Sequence, residues 1–116
     1  MNVTTLARLR RVAVVNMTET ALVKRLTRVS DGMGGSTESW STAGAVACRR
    51  ASSPTAAEVE LAGRLGVARP LVVRLPAGTD VSEADRLVIA GETVEVVHVP
   101  SVTIEAVRRV LCKEIE

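Results

Sequence analysis

The chain has 116 residues, of which 47% are hydrophobic and 24% charged, a composition that excludes a disordered tail and indicates one folded domain. No uncharged apolar run approaches the roughly 20 residues of a membrane span, and arginines interrupt the first apolar segment, so a signal peptide is not expected. The net charge of +2 is divided unevenly: residues 1–50 hold eight basic and three acidic residues (+5), and residues 51–116 hold seven and ten (−3). We expect a soluble, unsecreted single domain, residues 1–116, with oppositely charged halves.

The apolar side chains are small and branched. The chain has 20 valines, 3 isoleucines and 11 threonines, whereas Phe and Tyr are absent and Trp40 is the single aromatic residue. Because β-branched side chains fit a pleated surface best, this composition predicts a mainly β domain. A core without large rings gains less from burial, so contacts with partner subunits are also expected.

The first segment, residues 1–17, is predicted to be a helical extension, because Leu6, Leu9 and Ala13 fall on one helical stripe. From Thr20 the pattern changes to alternation of apolar and basic residues, which indicates the first strand of the β domain.

Residues 30–39 are rich in Gly, Ser and Asp, which favour turns and positive φ, so an exposed, mobile loop is predicted there. Trp40 then opens a second strand that runs to about Arg50 and contains small residues suited to a curved sheet. A short helix is predicted over residues 58–65, capped by Thr55 or Ser53 and packed on the mouth of the barrel, with Val59 and Ala62 on one face.

The second half is predicted to be a β meander, with strands at residues 71–75, 86–90 and 93–99 and a tight hairpin around Gly91. The last segment, residues 103–115, fits either a helix or a strand buried on both faces. The predicted fold is therefore a small β-barrel, residues 20–116, with one short helix between strands and the helical extension before them.

Catalytic chemistry has little support in the sequence. His98 is the single histidine and lies in an apolar run without an orienting carboxylate, so we assign it no catalytic role. Cys48 and Cys112 match no zinc or redox spacing and are expected to be buried free thiols. The Gly-rich loop lacks the Gly-Lys-Ser/Thr ending of a phosphate-binding loop and the alternating carboxylates of a calcium site. We therefore predict no catalytic residues, cofactor or metal.

One carboxylate cluster, formed by Asp80, Glu83 and Asp85, lies in a turn-rich segment. Either these side chains are solvated and cap local turns, or they form a charged patch for a basic partner surface.

Eight stretches between residues 17 and 116 occur in a characteristic order: Thr20 to Arg28, Asp31-Gly32-Met33-Gly34-Gly35, Glu38-Ser39-Trp40, Val46 to Arg49, Glu58 to Leu65, Leu75 to Val81, Asp85-Arg86-Leu87 and Ile89 to Val96. No single stretch is specific, but the order and spacing of the stretches are. Together they resemble the head-completion proteins, also called head-tail joining or stopper proteins, of long-tailed double-stranded DNA phages.

The resemblance implies a small β-barrel without enzymatic activity, located in the virion neck after assembly in the host cytoplasm. Members of the family form a ring beneath the portal and adaptor, retain the packaged genome and provide a platform for the tail. The implied partners are other copies of the chain in a ring, expected to be dodecameric to match the portal, the portal or adaptor protein, the tail terminator or tail tube protein, and the end of the packaged DNA. No membrane and no cofactor are implied.

The resemblance and the residue pattern together give two sets of candidate residues. A loop that contacts the channel or a partner would use Asp31, Gly32, Met33, Gly34, Gly35 and Trp40. The ring interface between the basic and acidic halves would use Arg25, Arg28, Asp80, Glu83 and Asp85.

Other functions fit parts of the sequence. Within the phage neck, the alternatives are an adaptor, which is mainly helical, and a tail terminator, which is α/β. From another class, a small β-barrel could bind nucleic acid or an acidic partner through its basic residues, although a lone Trp gives no stacking platform. Those residues are Arg8, Arg10, Arg11, Lys24, Arg25 and Arg28.

Overall fold

The chain forms one sheet of six antiparallel strands and two helices in a computed structural model that describes residues 3–51, 54–100 and 105–115. This confirms the mainly β class. In chain order the elements are α1 (Val3–Val15), β1 (Glu19–Ser30), β2 (Ser36–Arg50), α2 (Ala56–Arg64), β3 (Leu71–Pro76), β4 (Arg86–Ile89), β5 (Glu92–His98) and β6 (Val107–Glu114).

The sheet closes on itself in the order β1-β2-β3-β6-β5-β4, with β4 returning to β1. This order departs from the predicted meander, because β3 pairs with β6 along its whole length and not with the next strand in the chain. Residues 77–85, which connect β3 to β4, are not a tight hairpin: they cross one end of the sheet and bury Val81 in the core. Two meanders of three strands are therefore joined at two seams, β1/β4 and β3/β6.

The core inside the closed sheet contains only small and branched side chains, as the composition predicted. Its largest fully buried residues are leucine, isoleucine and valine. Cys48 and Cys112 lie in this core as free thiols, which confirms that prediction. Burial raises the pKa of Cys48 to about 11, with a further contribution from the charge of Glu19, and burial raises the pKa of Cys112 to about 12. Both thiols are therefore protonated at neutral pH.

The last segment is a strand, which settles the ambiguity of its sequence pattern for residues 107–114. Val110 and Cys112 point into the core, whereas Leu111 packs on the outer face with Ala62 of α2. Because successive side chains of a strand point to opposite faces, a strand covered on both sides is apolar at consecutive positions. Consecutive apolar residues also occur in a buried helix, and for this reason the sequence of this segment fitted both structures.

The hairpin predicted around Gly91 is confirmed. β4 ends at Ile89 and β5 begins at Glu92, so the connection consists of Ala90 and Gly91, with φ of 52° and 82°. Two-residue turns with positive φ at both positions match the twist of antiparallel strands.

Helix α2 begins at a capping box. Thr55 Oγ1 accepts a hydrogen bond from the Glu58 amide (3.2 Å), and Glu58 Oε1 accepts one from the Thr55 amide (2.8 Å). The helix packs on the outer face of the sheet through Ala62 and not, as predicted, on the mouth of the ring, and Val59 remains 51% exposed. The reason is the ion pair between Glu58 and Arg109 of β6 (2.7 Å), which fixes the helix beside the strand.

Replacing Glu58 with glutamine should lower the free energy of unfolding by about 2 kcal/mol, because the change removes the charge that binds Arg109 and weakens the cap. Arg109 first, and the Thr55 amide second among the favourable contacts, hold the pKa of Glu58 down at about 2, from its ordinary 4.5. The contribution of the Glu58 carboxylate to the free energy of unfolding is therefore complete above pH 4.5 and is lost as the pH falls towards 2.

Urea unfolding of the two proteins between pH 2 and 7 checks this expectation. The control is Glu60→Gln on the same helix, whose i,i+4 pair with Arg64 is exposed and should contribute less than about 0.5 kcal/mol. Equal effects of the two substitutions at pH 7 would contradict the assigned role of Glu58.

The predicted N-terminal helix is present as α1, and none of its residues is buried. It contacts β3, and Arg10 Nε donates a hydrogen bond to the carbonyl of Glu105 (2.8 Å). Val12 and Val15 remain 54% and 76% exposed. Since a helix of this length is marginal by itself in water, α1 depends on these few contacts and leaves apolar surface uncovered.

The first two strands extend beyond the ring as a two-stranded arm, residues 25–41. β4 pairs with β1 only as far as Lys24, so the arm strands pair only with each other over roughly 20 Å. The predicted loop 30–39 is therefore too long: its last residues, 36–39, belong to β2. Arg28 of β1 lies opposite Glu38 and forms an ion pair with it (3.1 Å), which continues the ladder into the predicted loop.

Candidate interaction site

The tip of the arm is a turn organised by one carboxylate. Asp31 Oδ1 accepts hydrogen bonds from the amides of Met33 (2.7 Å) and Gly35 (3.1 Å), and the Asp31 amide donates to the Gly35 carbonyl (3.2 Å). Gly32 and Gly34 have φ of 77° and 86°, values that a residue with a Cβ adopts only at a cost. The structure thus brings the five predicted loop residues together at the tip, where the Met33 side chain is 91% exposed.

Trp40, the sixth predicted contact residue, is not at the tip but near the root of the arm. It lies in β2 opposite Leu26 and is 38% exposed. The guanidinium of Arg86, from β4, lies 4.1 Å from the centre of the indole ring, a cation–π contact. Trp40 therefore connects the arm to the body of the sheet, and the solvent-exposed part of its ring remains available to a partner.

Replacing Trp40 with alanine should lower the free energy of unfolding by about 1.5 kcal/mol, half of what a fully buried ring would give, because the ring is partly exposed. Trp40→Phe is the matched control, since it keeps an aromatic face for Arg86 and should lose less than about 1 kcal/mol. Urea unfolding measures both, and an equal loss in the two variants would rule out the contact with Arg86 as a source of stability.

Arg25 joins the root of the arm to residues 77–85. Its Nη2 lies 2.9 Å from Asp85 Oδ2, and its Nη1 lies 3.3 Å from Asp80 Oδ2. Asp85 is 4% exposed and also accepts a hydrogen bond from the Ser82 amide (2.9 Å). Asp85 first and Asp80 second raise the pKa of Arg25 above its ordinary value. This network holds the connection across the end of the ring.

The five charged residues expected at a ring interface all have partners within the subunit. The structure brings Arg25, Asp80 and Asp85 together, pairs Arg28 with Glu38 on the arm, and places Glu83 Oε1 3.8 Å from His98 Nδ1. Asp85 is 4% exposed and is bound to Arg25 within the subunit, and its contact with a neighbouring subunit stays a prediction. The side chains of Asp80 and Glu83 are 86% and 66% exposed and remain on the surface.

The basic residues of the nucleic-acid alternative are divided between α1 and β1. Arg25 and Arg28 are bound to carboxylates, and the Lys24 ammonium contacts the hydroxyl of Thr42. On α1, Arg8 and Arg11 form no ion pair with any residue that the structure describes. The structure therefore does not assemble the whole set into one basic face.

His98 is half-buried at the end of β5, with Glu83 beside it. The free thiols of Cys48 and Cys112 are enclosed in the core. Within residues 3–51, 54–100 and 105–115, no group of three or more His, Cys, Asp or Glu side chains is placed to hold a metal. Among those same residues, no helix combines the length and apolarity needed to cross a membrane.

Sequence reasoning missed Arg86 as a member of the site. Its only sequence signal is the Asp85-Arg86 pair, which does not reveal that the two side chains serve different contacts. Asp85 binds Arg25, whereas Arg86 stacks on Trp40. Arg86 is the first residue of β4 and lies next to Leu87, which points into the core, so the Arg86 side chain points outward, whereas Asp85 is buried at the end of the preceding connection.

Comparison with known proteins gives a shared fold without a family. No family model and no curated protein matches the chain. Among solved structures, the chain is similar to the protein SF1141 from Shigella flexneri 2a, a structural genomics target whose structure was determined in solution. The match has a TM-score of 0.67 at 14% sequence identity and covers 84% of this chain and 92% of that chain. At this identity the likeness concerns the fold, a mainly β domain.

Proposed function

We propose that the protein is a structural component of the neck of a long-tailed double-stranded DNA phage. In this proposal it forms a ring beneath the portal or adaptor, closes the filled head, retains the DNA and provides the attachment platform for the tail. The closed sheet is interpreted as the small β-barrel of the head-completion proteins that the order of segments resembles. The observation that carries the proposal is the arm, residues 25–41, which projects from that sheet.

The arm has the properties that a channel or neighbour contact requires. Its two strands are held by a continuous ladder and by the Arg28–Glu38 pair, so it can keep its direction in the absence of a partner. Its tip combines an exposed Met33 with glycines at positive φ, and it can adapt to a surface at little cost. A ring of such subunits would point one arm per subunit towards the channel or towards the next subunit.

Two further observations support self-assembly. Helix α1 leaves Val12 and Val15 exposed, and a neighbouring subunit could cover them. The halves of the chain differ in charge, +5 against −3, which suits the head-to-tail contacts of a closed ring. Asp80 and Glu83 supply exposed carboxylates for such contacts.

The purified protein should form rings, visible by negative-stain electron microscopy and measurable as a defined mass by light scattering. Raising the salt concentration from about 0.1 M to 1 M should reduce the ring fraction, because the Debye length falls from about 10 Å to 3 Å and exposed charges lose their attraction. Rings that are insensitive to salt would indicate apolar contacts, such as those of α1, in place of the charged interface.

Location in the particle is the direct test. Antibody-gold labelling of virions should place the protein at the junction of head and tail. Labelling elsewhere, or a monomer that is retained on a duplex DNA column and forms no ring, would contradict the proposal and favour the nucleic-acid-binding alternative.

A further inference from the structure

Three arginines stand side by side on the outer face of the sheet. Arg49 of β2 is paired in register with Arg74 of β3, and Arg74 is paired in register with Arg109 of β6. Val73 and Leu75, on either side of Arg74, point into the core, so Arg74 and its cross-strand partners point outward. Neighbouring strands are about 4.8 Å apart, and the arginine row therefore spans roughly 10 Å.

The arginine row has too little negative charge around it. Glu58 binds Arg109 through two hydrogen bonds (2.7 and 3.1 Å), but Arg49 and Arg74 have no acceptor or ion pair among the described residues. The Nε of Arg74 is buried and donates to nothing that the structure describes. Like charges directly opposite each other on neighbouring strands destabilise a sheet, and this row places two such contacts in succession.

The other partly buried arginines of the described residues each have a partner within the chain. Arg25, Arg50, Arg108 and Arg109 contact carboxylates, and the guanidinium of Arg86 lies over the Trp40 ring, although its Nε also has no hydrogen-bond acceptor. Exposed arginines such as Arg69 have no ion pair, so Arg74 differs as a partly buried guanidinium with neither a carboxylate nor an aromatic ring beside it. The buried Nε of Arg74 lacks an acceptor, and the positive charges of Arg49 and Arg74 lack a counter-charge. Together these features indicate that an external anion binds there.

We propose that the arginine row binds phosphate, with Arg74 at its centre and Arg49 as the second ligand. The planar fork of a guanidinium matches the oxygens of a phosphate, and a phosphate has enough acceptor oxygens for both free guanidinium groups. A phosphate monoester carries close to two negative charges at neutral pH, the amount that Arg49 and Arg74 leave uncompensated, whereas one carboxylate supplies half of it. The source is either a nucleic-acid strand, through successive phosphates, or a free phosphate compound. The proposal does not depend on the formation of a ring.

The experiment uses the full chain and two probes: inorganic pyrophosphate, followed by calorimetry, and a fluorescein-labelled 20-nucleotide deoxythymidine strand, followed by anisotropy. Arg74→Gln should weaken binding by about tenfold or more, since it removes a charge-assisted bidentate contact. Arg74→Lys should also weaken it, because it keeps the charge but loses the fork. The control is Arg69→Gln, an exposed arginine without an ion pair among the described residues, which should change binding by less than about twofold.

The probe that binds in an Arg74-dependent manner identifies the source of the phosphate. Arg74→Gln should also raise the Tm in the absence of either probe, because it relieves the like-charge contacts, and this confirms that the variant is folded. Arg49→Gln, at an exposed position, provides a second variant with the same expected loss. Failure of both probes to bind, or equal losses in Arg74→Gln and Arg69→Gln, would overturn the proposal.

Discussion

Replacing Asp85 with alanine is expected to lower the free energy of unfolding by about 3 kcal/mol, the largest loss from a single charged residue of this protein. Its carboxylate is 4% exposed and accepts hydrogen bonds from Arg25 and from the Ser82 amide. Removing it leaves a partly buried guanidinium and a backbone donor without their acceptor, which costs more than the net contribution of the pair itself.

Asp80 is the matched control for Asp85. It contacts the same guanidinium at 3.3 Å, but its side chain is 86% exposed, so Asp80→Ala should cost less than about 0.5 kcal/mol. Asp85→Asn should fall between the two, since the amide oxygen still accepts one hydrogen bond. Urea unfolding at neutral pH measures all three variants, and similar losses for Asp80→Ala and Asp85→Ala would refute the distinction that burial makes between the two carboxylates.

Removing the outer part of the arm should abolish assembly and leave the subunit folded. Thr27 and Ser39 are paired in register, so residues 27–39 can be replaced by Asn-Gly to close the shortened hairpin next to Leu26 and Trp40. The excised segment is exposed and takes both Arg28 and Glu38 with it, so no charge is left unpaired. The free energy of unfolding should change by less than about 1 kcal/mol.

Assembly should show the effect of the shortened arm. The proposed neck function predicts that heads completed with this variant lose DNA or fail to join tails. Thr37→Ser, which keeps the length of the arm and lies outside the predicted contact residues, should still support particles and serves as the control. Normal infectious particles with the shortened arm would mean that the arm is a passive connection between two strands.

Local features of this fold were predictable because short-range chemistry determines them. The Ala90-Gly91 turn, the capping box of α2 and the alternation in β1 each depend on residues within a few positions of one another. The length of the strands in the first hairpin was not predictable, because glycine and serine indicated a long loop. Strand pairing beside the Arg28–Glu38 ion pair includes Ser30 and residues 36–39, half of that segment.

Features that depend on distant contacts were beyond a single sequence. The place of β3 beside β6, and not beside β4, follows from how the connection at residues 77–85 crosses the ring. The burial of Asp85 follows from its contact with Arg25, and the exposure of Val59 follows from the ion pair that fixes α2. Composition and periodicity indicate that a helix or strand has an apolar face, but they do not indicate which other element packs against that face.

The candidate site shows the same division. The residues of the arm tip were predicted together because they are consecutive. The stacking of Arg86 on Trp40 was not predicted, because this contact joins β4 to β2, two strands that do not pair with each other. Charge counts for the two halves also gave no indication that most of the described carboxylates would be bound within the subunit, or that Arg49 and Arg74 would be paired in register without a carboxylate.

The two seams of the closed sheet make the molecule divisible. The connection at residues 77–85 separates the strands β1 to β3 from the strands β4 to β6, and Gly78 within it is exposed. Cutting the backbone at this point would leave two three-stranded sheets, β1-β2-β3 and β4-β5-β6. Each sheet would have two unpaired edge strands, and each edge strand pairs in register with an edge strand of the other sheet. The backbone connection therefore keeps the two halves at a high effective concentration. The strand pairing at the two seams determines how the halves associate to close the sheet.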